Sequence, residues 1–189
     1  SIVPAGWKTV FFYAAVLGGG LLVITALGRA GSTLFWRTDA SLPGVAGCDA
    51  FSPSTQEKTN PGYFWYGIHG VEILYTFMGK GCKKLFSKKT EGTDLTVGQW
   101  EDGRIGTVRG TRKGSHSYGA AVFGEKKMVQ VTNSPKVPLY SQLLKQIMPF
   151  FQTGKPPVSP EETLEIIQFI EAALLSEKEG REVSLSEIK

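Results

Sequence analysis

The chain has 189 residues, a hydrophobic fraction of 41%, a charged fraction of 20% and a formal net charge of +4. That length supports one sizeable core, or one domain with an appendage, and the composition excludes a disordered chain. The basic residues are scattered, and the densest run, KGCKKLFSKK from Lys80 to Lys89, alternates with apolar residues like a solvated strand face, so no nucleic-acid footprint is expected.

Residues 1–44 read differently from the rest. From Thr9 to Gly28 (TVFFYAAVLGGGLLVITALG) no charge occurs, and Lys8 and Arg29 bound the run. A membrane-spanning helix needs about 20 apolar residues, so one reading is an apolar helix that anchors the chain. A second is a signal segment, with Gly28 and Ala30 as the small residues of a cleavage site after Ala30. A third is a buried strand-turn-helix of a soluble core, with Gly18 to Gly20 as its turn. The chain is expected at a membrane or exported under the first two readings, and cytoplasmic under the third. A dinucleotide loop is rejected: Gly18 and Gly20 fit G-x-G-x-x-G/A, but Val23 stands where the third small residue belongs.

From residue 45 to 189 the pattern is that of an α+β domain: an open, mostly antiparallel sheet with helices packed on one face. GVAGCDAF is a short strand, SPSTQEKTNPG a polar loop, and FWYGIHGVEILYTFMG (Phe64 to Gly79) a helix. Strand-like runs follow: CKKLFSKK, TDLTVGQW, RIGTVRGTR, YGAAVFG and KMVQV. Asp102-Gly103 is a hairpin signal, and Gly124-Glu125-Lys126 suits a second turn.

Two helices close the chain. PLYSQLLKQIMPFFQTG places Leu143, Leu144, Ile147 and Phe151 on one face, with Pro149 expected to kink or break it. In SPEETLEIIQFIEAALLSEKEG, Ser159 caps, Pro160 opens the first turn, Glu162 completes a capping box and Gly180 ends the helix. Leu164, Ile167, Ile170 and Leu174 are expected to form its buried stripe, with its charges facing water.

The chemistry-bearing residues are few. Cys48 and Cys82 form no CxxC and read as buried free thiols, and two histidines without an HExxH do not suggest a transition-metal site. On a helix, Glu72 shares a face with His69 and can orient its imidazole. The alternative is a core histidine bonded to backbone. Gly67 and Gly70 remove bulk on either side, so a ligand or another backbone can approach closely. A second cluster, RGTRKGSHSYG, brings Arg109, Arg112, Lys113, His116 and Tyr118 to one strand end. It could hold a sugar or a phosphate, or be a charged hairpin end.

The order and spacing of GCDAFSP, FWYGIHGVEILYTFMGKGC, EGTDLTVGQWEDGRIGTVRGTRKGSHSYGAAVFGEK, FFQTGKPPVSPEETLEIIQFIEAA and the final VSL resemble the C-terminal domain of the Gfo/Idh/MocA oxidoreductases, the glucose-fructose oxidoreductase and inositol dehydrogenase family, over roughly 140 residues. The resemblance implies a substrate-binding and dimerisation domain whose open sheet pairs subunits. It implies a sugar or polyol substrate, and NAD or NADP held by a Rossmann domain that this chain does not show. A partner chain could carry that domain. His69, in WYGIH, matches the family histidine that assists proton transfer, a role worth ~10²–10⁴-fold in rate. Glu72 would be its partner, and Tyr66, Arg109, Arg112 and His116 weaker substrate contacts. Trp65 stands where the family has an acid. Without a cofactor site the chain is expected to be inactive alone. The competing expectation is a non-enzymatic binding or scaffold protein, anchored through Thr9 to Gly28.

Overall fold

A computed structural model describes residues 44–132, 139–154 and 158–188. The Thr9–Gly28 segment lies outside the described residues. Among the described residues no helix is long and apolar enough to cross a membrane.

The described residues form an α+β fold with a seven-stranded, mostly antiparallel open sheet. Strand β1 (Val45–Pro53) leads through a 3-10 turn, Gly62–Phe64, into helix α1 (Ile68–Met78). Strands β2 (Cys82–Lys89), β3 (Thr93–Trp100), β4 (Ile105–Thr111), β5 (Gly119–Gly124) and β6 (Met128–Thr132) follow. Helices α2 (Leu139–Thr153) and α3 (Pro160–Glu179) come next, then the short β7 (Val183–Ser184). The sheet order is β6-β5-β1-β4-β3-β2-β7.

Side chains on successive strand residues point to opposite faces, and the burial rhythm shows which face is covered. Ala50, Leu85, Thr96, Trp100, Val108 and Val122 face inward and are buried. The apolar residues Phe86, Val97, Ile105 and Phe123 leave from the other face and are exposed. Helices α1 and α3 cover the inward face. Tyr75 of α1 sits between Trp100 of β3 and Phe169 of α3, with ring centroids 5.8 Å away in each case. Fully burying side chains of this size contributes roughly 1.5–3 kcal/mol each, so this cluster joins both helices to the sheet.

The alternating period predicts β2 and β3 to the residue, and the Asp102-Gly103 turn joins β3 to β4 as an antiparallel pair. One placement differs from a simple run of hairpins. Strand β1 lies between β4 and β5, parallel to β4 and antiparallel to β5. The β4–β5 connection, residues 112–118, therefore passes over the end of β1 rather than making a tight turn.

Helix α3 begins as its sequence indicates, with the Ser159 side chain accepting from the Glu162 N–H, and ends at Gly180 in the left-handed region. Its buried stripe is offset from the expected one. Ile166, Phe169, Ile170 and Ala173 are buried, with Glu162 and Ser176 at the two ends, whereas Leu164 is exposed and Ile167 and Leu174 are half-buried. The helix also rotates acids onto the sheet. Glu165 accepts from the backbone N–H groups of Gly81 (2.7 Å) and Cys82 (2.9 Å), and Glu177 accepts from Ser87 Oγ (3.0 Å). These carboxylates cap and pin the start and middle of β2 instead of facing water. Helix α2 continues through Pro149, and its Leu144, Met148 and Phe151 side chains are exposed rather than packed.

Candidate functional site

His69 lies in the first turn of α1, near the C-terminal end of β1. The helix seats closely there because Gly70 faces Ser52 and Val108. A Cβ on Gly70 would stand 2.8 Å from Ser52 Oγ and 3.1 Å from Val108 Cγ1. Gly67 is equally enclosed, since a Cβ there would stand 2.9 Å from Tyr63 Cα. Both glycines admit neighbouring protein, so the space they free is not ligand space.

The imidazole Nδ1 lies 3.2 Å from Glu72 Oε2. The His69 side chain is 29% exposed and that of Glu72 only 2%. Burial pushes the Glu72 carboxyl above its ordinary value of 4.5, and the hydrogen bond and charge of His69 oppose that rise. Glu72 Oε1 is buried with no hydrogen-bond partner among the described residues. An unpaired buried carboxylate oxygen is costly. Nδ1 is taken by Glu72, which leaves Nε2 as the ring nitrogen that can meet a ligand.

Aromatic rings flank the imidazole. Tyr66 lies 6.3 Å away at an interplanar angle of 67°, and Tyr118 5.7 Å away at 73°, both edge-on. Trp65 meets Tyr66 edge-on at 5.7 Å. Trp65 and Tyr66 come from the turn before α1. Tyr118 comes from the β4–β5 connection, which reaches His69 because it crosses the end of β1. Tyr118 was visible in sequence only as one member of a basic cluster. Its closeness to His69 depends on the position of β1, which no local pattern shows.

The other sequence candidates fall elsewhere. Arg112 makes a bidentate pair with Asp94, one arm to Oδ1 at 3.0 Å and the other to Oδ2, and its remaining donors bond the carbonyls of Glu91 (3.0 Å) and Thr90. Asp94 is fully buried and also accepts from Ser54 Oγ at 3.2 Å. Arg112 is therefore held by a buried acid. Arg109 sits between inward-facing Val108 and Gly110, so its side chain leaves from the open face of the sheet, opposite the face that α1 covers. His116 is exposed in the 112–118 connection. The structure thus brings together His69, Glu72, Tyr66 and Tyr118, and does not bring Arg109 or Arg112 to them. Among the described residues no cluster of His, Cys, Asp and Glu could hold a metal ion.

The β1–α1 connection does not have the form of a dinucleotide-binding turn. A dinucleotide sits where a glycine-rich turn joins a strand to a helix N-terminus. Here β1 reaches α1 through a polar loop and an aromatic 3-10 turn, and the first turn of α1 holds His69 instead.

No protein-family model matches the chain, and no curated protein matches it in sequence. Solved structures do match in fold. A probable dehydrogenase from Thermotoga maritima aligns with a TM-score of 0.66 at 18% identity, covering 90% of this chain and 65% of that one. A myo-inositol dehydrogenase from Corynebacterium glutamicum gives 0.68 at 13% identity, covering 94% of this chain and 69% of that one. A scyllo-inositol dehydrogenase from Lactobacillus casei, solved with NAD(H) and scyllo-inositol, gives 0.64 at 12% identity, covering 85% and 62%. At these identities the likeness is one of fold, and it agrees with the fold that the sequence resemblance implies. The chain spans about two thirds or less of the length of most of these proteins.

Proposed function

We propose that residues 45–189 are the substrate-binding domain of an NAD(P)-dependent sugar or polyol oxidoreductase of the Gfo/Idh/MocA type. The observation that carries this reading is the His69–Glu72 pair, set among Tyr66 and Tyr118, on the fold shared with the inositol dehydrogenases. NAD or NADP, held by a nucleotide-binding domain outside these residues, would supply the hydride chemistry.

This chain's own contribution is to the proton. His69 Nε2 takes the proton of the substrate hydroxyl as the alcohol is oxidised and returns it when the ketone is reduced. Glu72 holds Nδ1, fixes the ring and stabilises the imidazolium that forms. Tyr66 lines the approach and can hydrogen-bond a substrate hydroxyl.

The open sheet face is the proposed pairing surface for a second copy. It carries exposed Phe86, Val97, Ile105, Phe123 and Met128. It also carries Arg109 and, on the adjacent strand, Asp49, so two copies can satisfy each other's charges.

The test is equilibrium binding of myo-inositol to the chain by calorimetry. Saturable heat that disappears in His69→Ala supports the reading; equal binding by both proteins contradicts it. The cofactor part has its own test. NADH at micromolar concentration should not quench the tryptophan fluorescence of this chain, and saturable quenching would place a nucleotide site within it.

A further inference from the structure

Two arginines precede Tyr118 in sequence, yet neither is available to a ligand's charge at His69. Arg112 is saturated by Asp94 and two carbonyls. Arg109 leaves from the far face of the sheet. Among the described residues, the groups that surround the imidazole are instead the rings of Tyr66 and Tyr118, with the acid Glu72 beneath. Tyr66 is 44% exposed and Tyr118 half-buried, so both rings can be reached from solvent.

Resting on the reading of His69 as a polyol site, we infer that Tyr118, together with Tyr66, is a specificity determinant of that site. The two phenols form an uncharged wall that takes a neutral hydroxylated ring and rejects its phosphate ester. The C–H face of such a ring packs on aromatic carbon while the phenol hydroxyls exchange hydrogen bonds with its hydroxyls. A phosphate monoester brings about −1.5 to −2 charges. At this wall it meets neither Arg112, which Asp94 holds, nor Arg109, which leaves from the other face, and it lies close to a buried carboxyl, so its desolvation is poorly compensated. Burial and the neighbouring Tyr66 raise the Tyr118 phenol above its ordinary value.

Calorimetric titration with myo-inositol and with myo-inositol 1-phosphate tests this on the wild-type chain, Tyr118→Phe and Tyr118→Lys, with thermal unfolding run alongside. The wild type should bind the neutral compound at least tenfold more tightly. Tyr118→Phe should weaken that binding about three- to tenfold at unchanged thermal stability, and Tyr118→Lys should narrow or reverse the preference. A phosphate ester bound as tightly as the neutral compound overturns the inference while leaving the polyol site intact. So does a preference ratio that neither substitution moves. If neither compound binds the wild type, the polyol reading of His69 falls, and the inference with it.

Discussion

Glu72 lies one helical turn beyond His69, and its Oε2 holds the imidazole Nδ1 at 3.2 Å while its other oxygen stays buried and unpartnered among the described residues. The pair couples the chemistry of the site to the stability of α1. Because burial raises the Glu72 carboxyl above 4.5, the folded state holds that proton more tightly than the unfolded chain does. Stability from this group is therefore fully present below the ordinary carboxylate range and is lost as pH rises through the raised value.

Glu72→Gln cannot ionise and removes that decline. The difference in Tm between the variant and the wild type should grow in the variant's favour between pH 4 and pH 7. Glu171 and Glu177, also raised by burial, are common to both proteins and cancel in the comparison. A difference that is flat or shrinks over this range would show that Glu72 is not the buried acid described. Thermal unfolding followed by circular dichroism at several pH values makes the measurement.

Arg112 should matter for folding far more than for ligand binding. Removing one partner of a buried ion pair costs roughly 3–5 kcal/mol, because the other charge is left uncompensated. Arg112→Ala strands the carboxylate of Asp94, which is fully buried and keeps only Ser54 Oγ. Guanidinium unfolding should show a loss of about that size. Replacing both residues, Asp94→Asn with Arg112→Gln, should recover part of it. A loss below about 1 kcal/mol for Arg112→Ala, the range of exposed pairs, would mean that the pair is solvated.

Both cysteines should resist alkylation in the folded chain. Cys48 and Cys82 are buried free thiols, and burial pushes each up to about 12. The thiolate is the reactive form. A thiol-disulfide reagent at pH 8 should titrate no fast thiol in the native protein and two after denaturation. One fast native thiol would place a cysteine at the surface.

The open sheet face predicts a self-association that depends on charge pairing. Arg109→Glu should shift the chain towards monomer in sedimentation velocity, and Asp49→Arg should do the same. Combining them restores opposite charges and should restore the dimer. Loss in the single variants without recovery in the double one would leave the apolar residues, not the charge pair, as the contact. A wild-type chain that stays monomeric at high concentration contradicts the pairing altogether.

Much of this architecture was legible in sequence because it is local. The two-residue alternation places β2 and β3, the Asp102-Gly103 turn joins β3 to β4, and Ser159, Pro160 and Gly180 bound α3. The failures are of long range. Nothing in the period of β1 says that it pairs with β4 and β5, since alternation fixes a face and not a partner. The stripe of α3 was misplaced because two of its buried positions, Glu162 and Ser176, are polar, and the apolar pattern alone points to Leu164 instead. Arg112 looked free for a ligand because its partner Asp94 lies on another strand, 18 positions away. His69 and Glu72 were legible as a pair because helix geometry brings positions three apart together. Tyr118 was not, because only the path of residues 112–118 over β1 carries it to the imidazole.

His69 is proposed to face a polyol-binding site. The chain has only two histidines, so their ring protons can be followed separately by proton NMR. Titration with myo-inositol should move the His69 ring signals saturably and leave those of exposed His116 less affected, and the Glu72→Gln variant should still show the His69 movement. Ring signals of His69 that stay fixed at saturating myo-inositol, in a folded protein, would contradict the account.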